Sequence, residues 1–331
     1  MSASILVTGG AGFLGSHVAD CLHRHGDRVT VLDDLSGGFR DNVAPGIDFV
    51  EGSVGDGPLL DRLFSERRFE HVYHLAAYAA EGLSHFIRSF NYVNNLVGSA
   101  ELVNRAVNHC VKSFVFTSSI AVYGANQVPV REGAAPEPDS PYGIAKLAVE
   151  QDLAAARRLF GLDTVVFRPH NVYGERQNIG DPYRNVIGIF INQIMNGEPM
   201  TVFGDGTQTR AFTYVGDVAP VIARAHRSER AYGEVFNLGA DTPCDLNTLA
   251  RAVAAEMGVA PNIRYLPARQ EVQHAVAAHD KVRRFFDCPP DTPLTAGLRA
   301  MCRWAKATGA RRGSRFSHLE IPKGLPASWE P

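Results

Sequence analysis

The sequence predicts an α/β protein: a doubly wound parallel sheet, followed by a smaller C-terminal region. Three observations predict it. Short apolar runs alternate with helix-length amphipathic stretches through the first half of the 331 residues, the pattern of a parallel sheet covered on both faces. The first apolar run breaks into a turn carrying Gly9, Gly12 and Gly15. The second run ends in two carboxylates, Asp33 and Asp34.

Taken in order, Ile5-Leu6-Val7 reads as a buried strand within 4–8. The glycine turn follows, and Phe13, Leu14 and Val18 open a periodic helix over 13–25. Glycines in such a turn let backbone N–H groups approach a pyrophosphate at the helix N-terminus, where the dipole favours an anion. Strand 28–33 then delivers Asp33-Asp34 about 20 residues past the glycines, where a carboxylate accepts from a ribose 2′-OH. That carboxylate would repel a 2′-phosphate, so the expected cofactor is NAD rather than NADP. Strands over 47–50, 71–75, 112–118 and 163–168, with helices over 57–66, 86–110 and 141–160, complete the alternation.

After Arg168-Pro169 the texture changes. Loops rich in Gly, Pro and polar residues (174–184, 203–210, 239–245, 259–272) separate helices near 185–196, 215–228 and 245–257. The expected division is a dinucleotide-binding Rossmann domain over 1–168, rejoined by 212–238, a substrate-binding region over 169–310, and a tail over 311–331. The tail is basic, then proline-rich, and reads as a mobile or surface-packed terminus.

Composition narrows the partners. A hydrophobic content of 45%, with 21% charged residues and a net charge of −2, gives no reason to expect nucleic acid or a membrane surface. No apolar run approaches the ~20 residues of a bilayer span, and no signal-peptide pattern precedes the first strand. Five scattered cysteines without a C-x-x-C motif suit reduced thiols and a cytoplasmic location, and make a cysteine zinc site unexpected. His17, His23 and His25 share the first helix and read as a solvated face rather than a metal site, so no metal is expected.

Chemistry enters with Tyr142-Gly143-Ile144-Ala145-Lys146. Tyr142 and Lys146 are four residues apart and share a helix face. An ammonium beside a phenol favours the phenolate, which makes tyrosine a general base. Ser119, after Thr117-Ser118 at a strand's carboxyl end, is placed to hydrogen-bond the same substrate hydroxyl.

With these residues the chain resembles an extended short-chain dehydrogenase/reductase of the NAD-dependent epimerase/dehydratase family, which acts on nucleotide sugars. The resemblance runs from Ile5 to Thr308 through TGGAGFLGSH (8–17), LDDLSGG (32–38), EGSVGD (51–56), HLAA (74–77), TSSIAVYG (117–124), SPYGIAK (140–146), FRPHNVYGERQ (167–177) and FGDGTQTRAFTYVGDV (203–218). It implies Ser119, Tyr142 and Lys146 as catalytic residues. For the cofactor it implies Gly9, Gly12, Phe13, Leu14, Gly15, Asp33, Asp34, Ser36 and Gly38, then Asp56 near adenine, Leu75, Ala76 and Ala77, and Asn95 on the nicotinamide side, besides Tyr142 and Lys146. For the substrate it implies Asn171, Arg210 and Arg269 on the nucleotide diphosphate, where an arginine fork suits two phosphates. Ser84, Arg176 and Val202 join that set, and Glu81 enters it as a pocket residue unusual for the family.

The reaction turns on Ile120-Ala121. Sugar 4,6-dehydratases carry Asp-Glu at this position, nucleotide-sugar decarboxylases Glu at the second place, and GDP-sugar 3,5-epimerases Cys. Neither Ile120 nor Ala121 can move a proton, so the resemblance is greatest to nucleotide-sugar 4-epimerases such as those acting on UDP-glucose. The implied chemistry is oxidation and re-reduction at C4 of a UDP-hexose, with UDP-N-acetylglucosamine and UDP-glucuronate open as substrates. Competing readings are a dehydratase or reductase of the same family and a non-catalytic NAD-binding sensor. Glu81 and His85 are unusual in the segment after HLAA: either can contact the sugar or act as an extra acid or base, or can simply satisfy its loop. Ala211 and Gly216 replace acids common around Arg210, and the small Ala275 leaves room at the sugar's C2. By analogy, helices 86–110 and 141–160 imply a homodimer.

Overall fold

The computed structural model describes residues 2–125, 129–269, 272–311, 316, 318–326 and 329. Six strands come from the first half: β1 (Ser4–Thr8), β2 (Arg28–Asp33), β3 (Asp48–Glu51), β4 (His71–His74), β5 (Ser113–Thr117) and β6 (Asp163–Pro169). With Glu234–Leu238 they form a seven-stranded sheet in the order β3-β2-β1-β4-β5-β6 and then Glu234–Leu238. Every pairing in it is parallel. Thr8 lies opposite both Leu32 and His74, and Thr117 opposite Phe167, so the carboxyl ends of the strands finish together. Strand order reverses between β1 and β4, which opens a crevice at those ends.

Helices cover both faces, as the two-sided apolar strands require. On one side, Val18 and Leu22 of α1 (Phe13–Arg24) pack with Val218, Val221 and Ile222 against Val7, Val31 and Phe167. On the other side lie α2 (Gly57–Arg67), the short α3 (Glu81–Ser84) and α4 (Arg88–Tyr92), α5 (Gly98–Asn108) and α6 (Pro141–Phe160). There Leu60, Phe64, Leu102, Val149 and Leu153 bury Leu6, Val72, Phe114 and Phe116. A further core, built on Phe190, Ile191, Leu249, Val253, Leu298 and Met301, holds the second half together. It joins α7 (Val186–Met195) to α9 (Leu246–Met257) and α11 (Leu294–Thr308); α8 (Val215–Ala223) and α10 (Asp280–Phe285) lie along the sheet side.

Several expectations need correction. The helix expected over 86–110 starts at Arg88, and Val93–Val97 forms a π turn between α4 and α5. The helix expected over 215–228 ends at Ala223, before a 3₁₀ turn at Ala225–Arg227. α11 was not foreseen. His17 does not face solvent: it is half-buried, and a ring nitrogen meets the Glu175 carbonyl at 3.0 Å. Of the two readings of the tail, the packed one fits Trp329, which is buried against Leu83, Ile87 and Tyr183.

Candidate active site

A cavity of about 1130 Å³ runs along the carboxyl ends of the strands and into the second half of the chain. One end is the glycine turn. Gly9 has φ +71°, and a Cβ there would lie 2.6 Å from the Ala76 nitrogen; a Cβ on Gly15 would lie 2.0 Å from the Gly9 oxygen. A side chain on Gly9 would push the turn off the segment after β4, and one on Gly15 would break the turn itself. Gly12 N-caps α1 with no side-chain cap, so the first-turn amides are left for an anion at the positive end of the helix. At the end of β2, Asp33 accepts from Ala11 N (3.0 Å) and Leu35 N (2.9 Å), which aligns its carboxylate on the cavity wall. Burial raises its pKa, against those backbone donors. A glycine cradle, an uncapped helix start and an acidic strand end on one wall fit a dinucleotide with a free ribose hydroxyl.

The centre of the cavity is set by α6. Ser140 N-caps this helix, accepting from Gly143 N at 3.1 Å, and Pro141 occupies its first turn. This geometry points Tyr142 and Lys146 from a buried helix face toward β5. The Lys146 ammonium donates to the Thr117 carbonyl (2.9 Å) and sits 4.7 Å above the Phe116 ring and 5.8 Å from the Tyr142 ring centre. Burial brings its pKa down to about 7, although Glu150 opposes this. Burial pushes the Tyr142 phenol up, and so does the Glu81 carboxylate, while a hydrogen bond with Ser119 and the charge of Arg184 pull it down. The phenol is therefore less acidic here than a lysine neighbour alone would make it. Ser119 caps the 3₁₀ turn Ile120–Tyr123 by accepting from Ala121 N (3.1 Å).

That turn is pinned from beneath. Arg168 and Glu150, only 5% and 6% exposed, pair at 2.5 and 2.9 Å. Arg168 also donates to the Tyr123 hydroxyl (2.6 Å), which donates on to Asn237 (2.7 Å). Nearer the cofactor end, His74 is held neutral by burial, its pKa lowered to about 3, with ring nitrogens 2.7 Å from Thr8 Oγ1 and 2.8 Å from Ser99 Oγ.

The far end is cationic. Arg210 is braced by the backbone carbonyls of Thr209, Val272 and Gln273. The Arg269 guanidinium lies 4.4 Å from the centre of the Phe203 ring and 5.6 Å from that of Trp329. Arg184 bonds Asp181 at 2.7 Å and stacks over Tyr78. Asn171, at φ +44° in the left-handed region, lines the same wall. Glu81 reaches in from α3. Burial, and then Asp139, raise its pKa, against Arg210, Ser140 and Arg269.

Most of the site residues expected from the sequence line this one cavity: Gly9, Gly12, Phe13, Leu14, Gly15, Asp33, Asp34, Ser36, Gly38, Leu75, Ala76, Ala77, Glu81, Ser119, Tyr142, Lys146, Asn171, Arg210 and Arg269. His85 and Ala275 line it too. Five do not. Asp56 caps α2, accepting from Leu59 N at 3.1 Å. Asn95 turns inward to the backbone of Tyr78, while Asn94 takes the wall. Ser84 is buried, and its hydroxyl accepts from Tyr142 N (3.2 Å), so it braces the helix start rather than facing the cavity. Arg176 pairs with Asp20 at 2.7 Å. Val202 packs in the second-half core, and its neighbours Thr201 and Phe203 face the cavity. Arg184, Tyr183 and Trp329 line the wall without any motif to single them out. Among the described residues no cluster of three His, Cys, Asp or Glu could hold a metal, and no helix is long and apolar enough to cross a membrane.

Residues 5–239 match the model of the NAD dependent epimerase/dehydratase family. A UDP-glucose 4-epimerase of Mycolicibacterium smegmatis is 32% identical over 303 residues, 88% of this chain and 95% of that protein. The crystal structure of a UDP-glucose 4-epimerase from Thermotoga maritima with UDP-glucose is 35% identical, with a TM-score of 0.86 over 92% of this chain and 99% of that one. The UDP-glucuronic acid 4-epimerase of Bacillus cereus, in complex with UDP-glucuronic acid and NAD, is 28% identical, with a TM-score of 0.84 over 92% and 99%.

Proposed function

The chain belongs to the NAD dependent epimerase/dehydratase family, and from that premise we propose that it is an NAD-dependent nucleotide-sugar 4-epimerase, inverting C4 of a UDP-hexose through a 4-keto sugar. One observation carries the reading. Tyr142, Ser119 and Lys146 meet midway along the cavity, and the turn beside them presents Ile120 and Ala121, which offer no acid or base for a second carbon.

The division of labour follows from the geometry. The glycine turn, Asp33, Leu75–Ala77 and Lys146 would hold NAD, which when bound accepts the C4 hydride and returns it. The Tyr142 phenolate takes the proton of the sugar's 4-hydroxyl, becoming the phenol, and later gives it back. Ser119, hydrogen-bonded to that phenol, orients the hydroxyl and shares the proton. The Lys146 ammonium steadies the phenolate once it forms. Asn171, Arg210 and Arg269 hold the diphosphate while the sugar turns over, so the return delivery reaches the opposite face. Glu81, beside these cations, accepts from sugar hydroxyls. Residues 1–168 with 212–238 serve the cofactor and 169–310 the nucleotide sugar. The homodimer is supported by apolar side chains left exposed on the π turn and on α6: Val93 and Val97, 62% and 50% exposed, and Ile144. Five free cysteines support a cytoplasmic setting.

Incubating the purified protein with UDP-glucose, UDP-N-acetylglucosamine and UDP-glucuronate, with products resolved by NMR, tests the proposal. A C4-inverted sugar is expected, and a 4-keto-6-deoxy product would overturn it. Tyr142→Phe should lose most turnover yet keep its NAD; a non-catalytic sensor would be indifferent.

A further inference from the structure

The described residues of the C-terminal tail (316, 318–326 and 329) form a strap packed beside the cavity. Past α11, Arg311 exchanges backbone hydrogen bonds with the Asn192 side chain (3.0 Å each) and lies 3.7 Å from the centre of the Phe39 ring. Phe316 N donates to the Tyr183 hydroxyl (3.0 Å), and its ring packs on Phe90 and Tyr78. The Glu320 carboxylate accepts from Ser89 N (2.7 Å) and Phe90 N (2.9 Å) in the first turn of α4. Glu320 N and Ile321 N both donate to the Phe86 carbonyl. The strap ends on Trp329, 6% exposed, whose indole packs edge-on against Tyr183 (5.4 Å) and Phe86 (6.3 Å). Gly82 leaves it room: a Cβ there would come within 3.0 Å of the ring. Gly324, Pro326 and Trp329 are all part of the cavity wall.

The Trp329 indole is the second ring within cation–π reach of the Arg269 guanidinium, 5.6 Å away, after Phe203 at 4.4 Å. A planar guanidinium packed against two rings loses rotational freedom, which favours bidentate contact with phosphate oxygens. We infer that Trp329 is a positioning residue for the substrate: its indole, held by the strap, fixes Arg269 toward the diphosphate of the nucleotide sugar. This rests on the nucleotide-sugar reading above. It makes diphosphate binding depend on a segment outside the residues 5–239 that match the family.

The test uses the full-length protein, with UDP as the calorimetric probe and NMR-followed turnover of whichever UDP-sugar the wild type converts. Trp329→Ala should raise the UDP Kd and the sugar KM about tenfold, with kcat within about threefold and co-purified NAD unchanged. Trp329→Phe should restore most of the affinity, because it keeps an aromatic face. Glu320→Ala, which unpins the strap without touching the cavity, should move Kd and KM the same way by a smaller factor. Unchanged UDP affinity in both Trp329→Ala and Glu320→Ala, with wild type binding normally, would overturn the strap's role and leave the epimerase reading standing. A wild type that binds no UDP would overturn that reading, and the inference with it.

Discussion

Replacing Lys146 with methionine keeps the length and apolar stem of the side chain and removes its charge. The ammonium lies 5.8 Å from the centre of the Tyr142 ring. At an effective dielectric constant of about 20, a unit charge at that distance stabilises a phenolate by about 3 kcal/mol. That corresponds to about two pKa units and a roughly 100-fold smaller ionised fraction near neutrality. The opposing forces are burial and Glu81, which both push the phenol up. Burial also brings Lys146 down to about 7, so the cation that supports the phenolate is itself lost as pH rises past neutral. The assay is kcat against pH for wild type and Lys146→Met, with bound NAD measured on the same samples. Losing the cation raises the phenol pKa, so the acidic limb should move to higher pH by about two units, with the curves converging in alkali. An unchanged limb in a variant still loaded with NAD would refute the electrostatic role given to Lys146.

Glu81→Gln should act in the opposite sense: removing a carboxylate that raises the phenol moves the acidic limb of kcat to lower pH, read in the same assay. Glu150→Met leaves the buried Arg168 uncompensated beneath the catalytic turn, a loss of about 3–5 kcal/mol; calorimetry of a chain this long should show a thermal midpoint lower by about 4–7 °C. His74 and His170 are held neutral by burial with pKa values near 3, and His226 near 4, against an ordinary 6.5. Their folded values are depressed, so the unfolded chain binds protons first as pH falls below about 6.5. The thermal midpoint should therefore decline from pH 6.5 toward pH 4, and His74→Gln, which keeps neutral hydrogen-bonding groups, should flatten the decline.

Where local sequence sets structure, the fold and site were legible before any coordinates. The spacing of Gly9, Gly12 and Gly15 after an apolar run has few other uses, and Ser140-Pro141 opens and Gly161 (φ +73°) closes the helix that carries Tyr142 and Lys146. The misses depend on distant partners. The π turn at Val93–Val97 lies where Asn95 bonds the backbone of Tyr78 and Asn91 the carbonyl of Pro141, contacts between segments 17 and 50 residues apart. Asp56 and Ser84 have the right chemistry for a ligand, but a helix cap and the backbone of Tyr142 use it first. α11 is amphipathic at Leu298, Met301, Cys302 and Ala305, yet it holds Gly297, which the Tyr173 hydroxyl requires: a Cβ there would sit 2.1 Å from that oxygen. Phe316 and Trp329 follow no period, so nothing in the tail announces that Trp329 joins the cavity wall.

The central claim is that Tyr142 moves a proton on oxygen only, and that Ile120 and Ala121 leave the catalytic turn without an acid or base for a second carbon. Turnover in D₂O of whichever UDP-sugar the wild type converts, with the product read by NMR, tests it most directly. The account predicts the C4-inverted sugar with no deuterium bound to carbon; deuterium at C5 or C6 would contradict it.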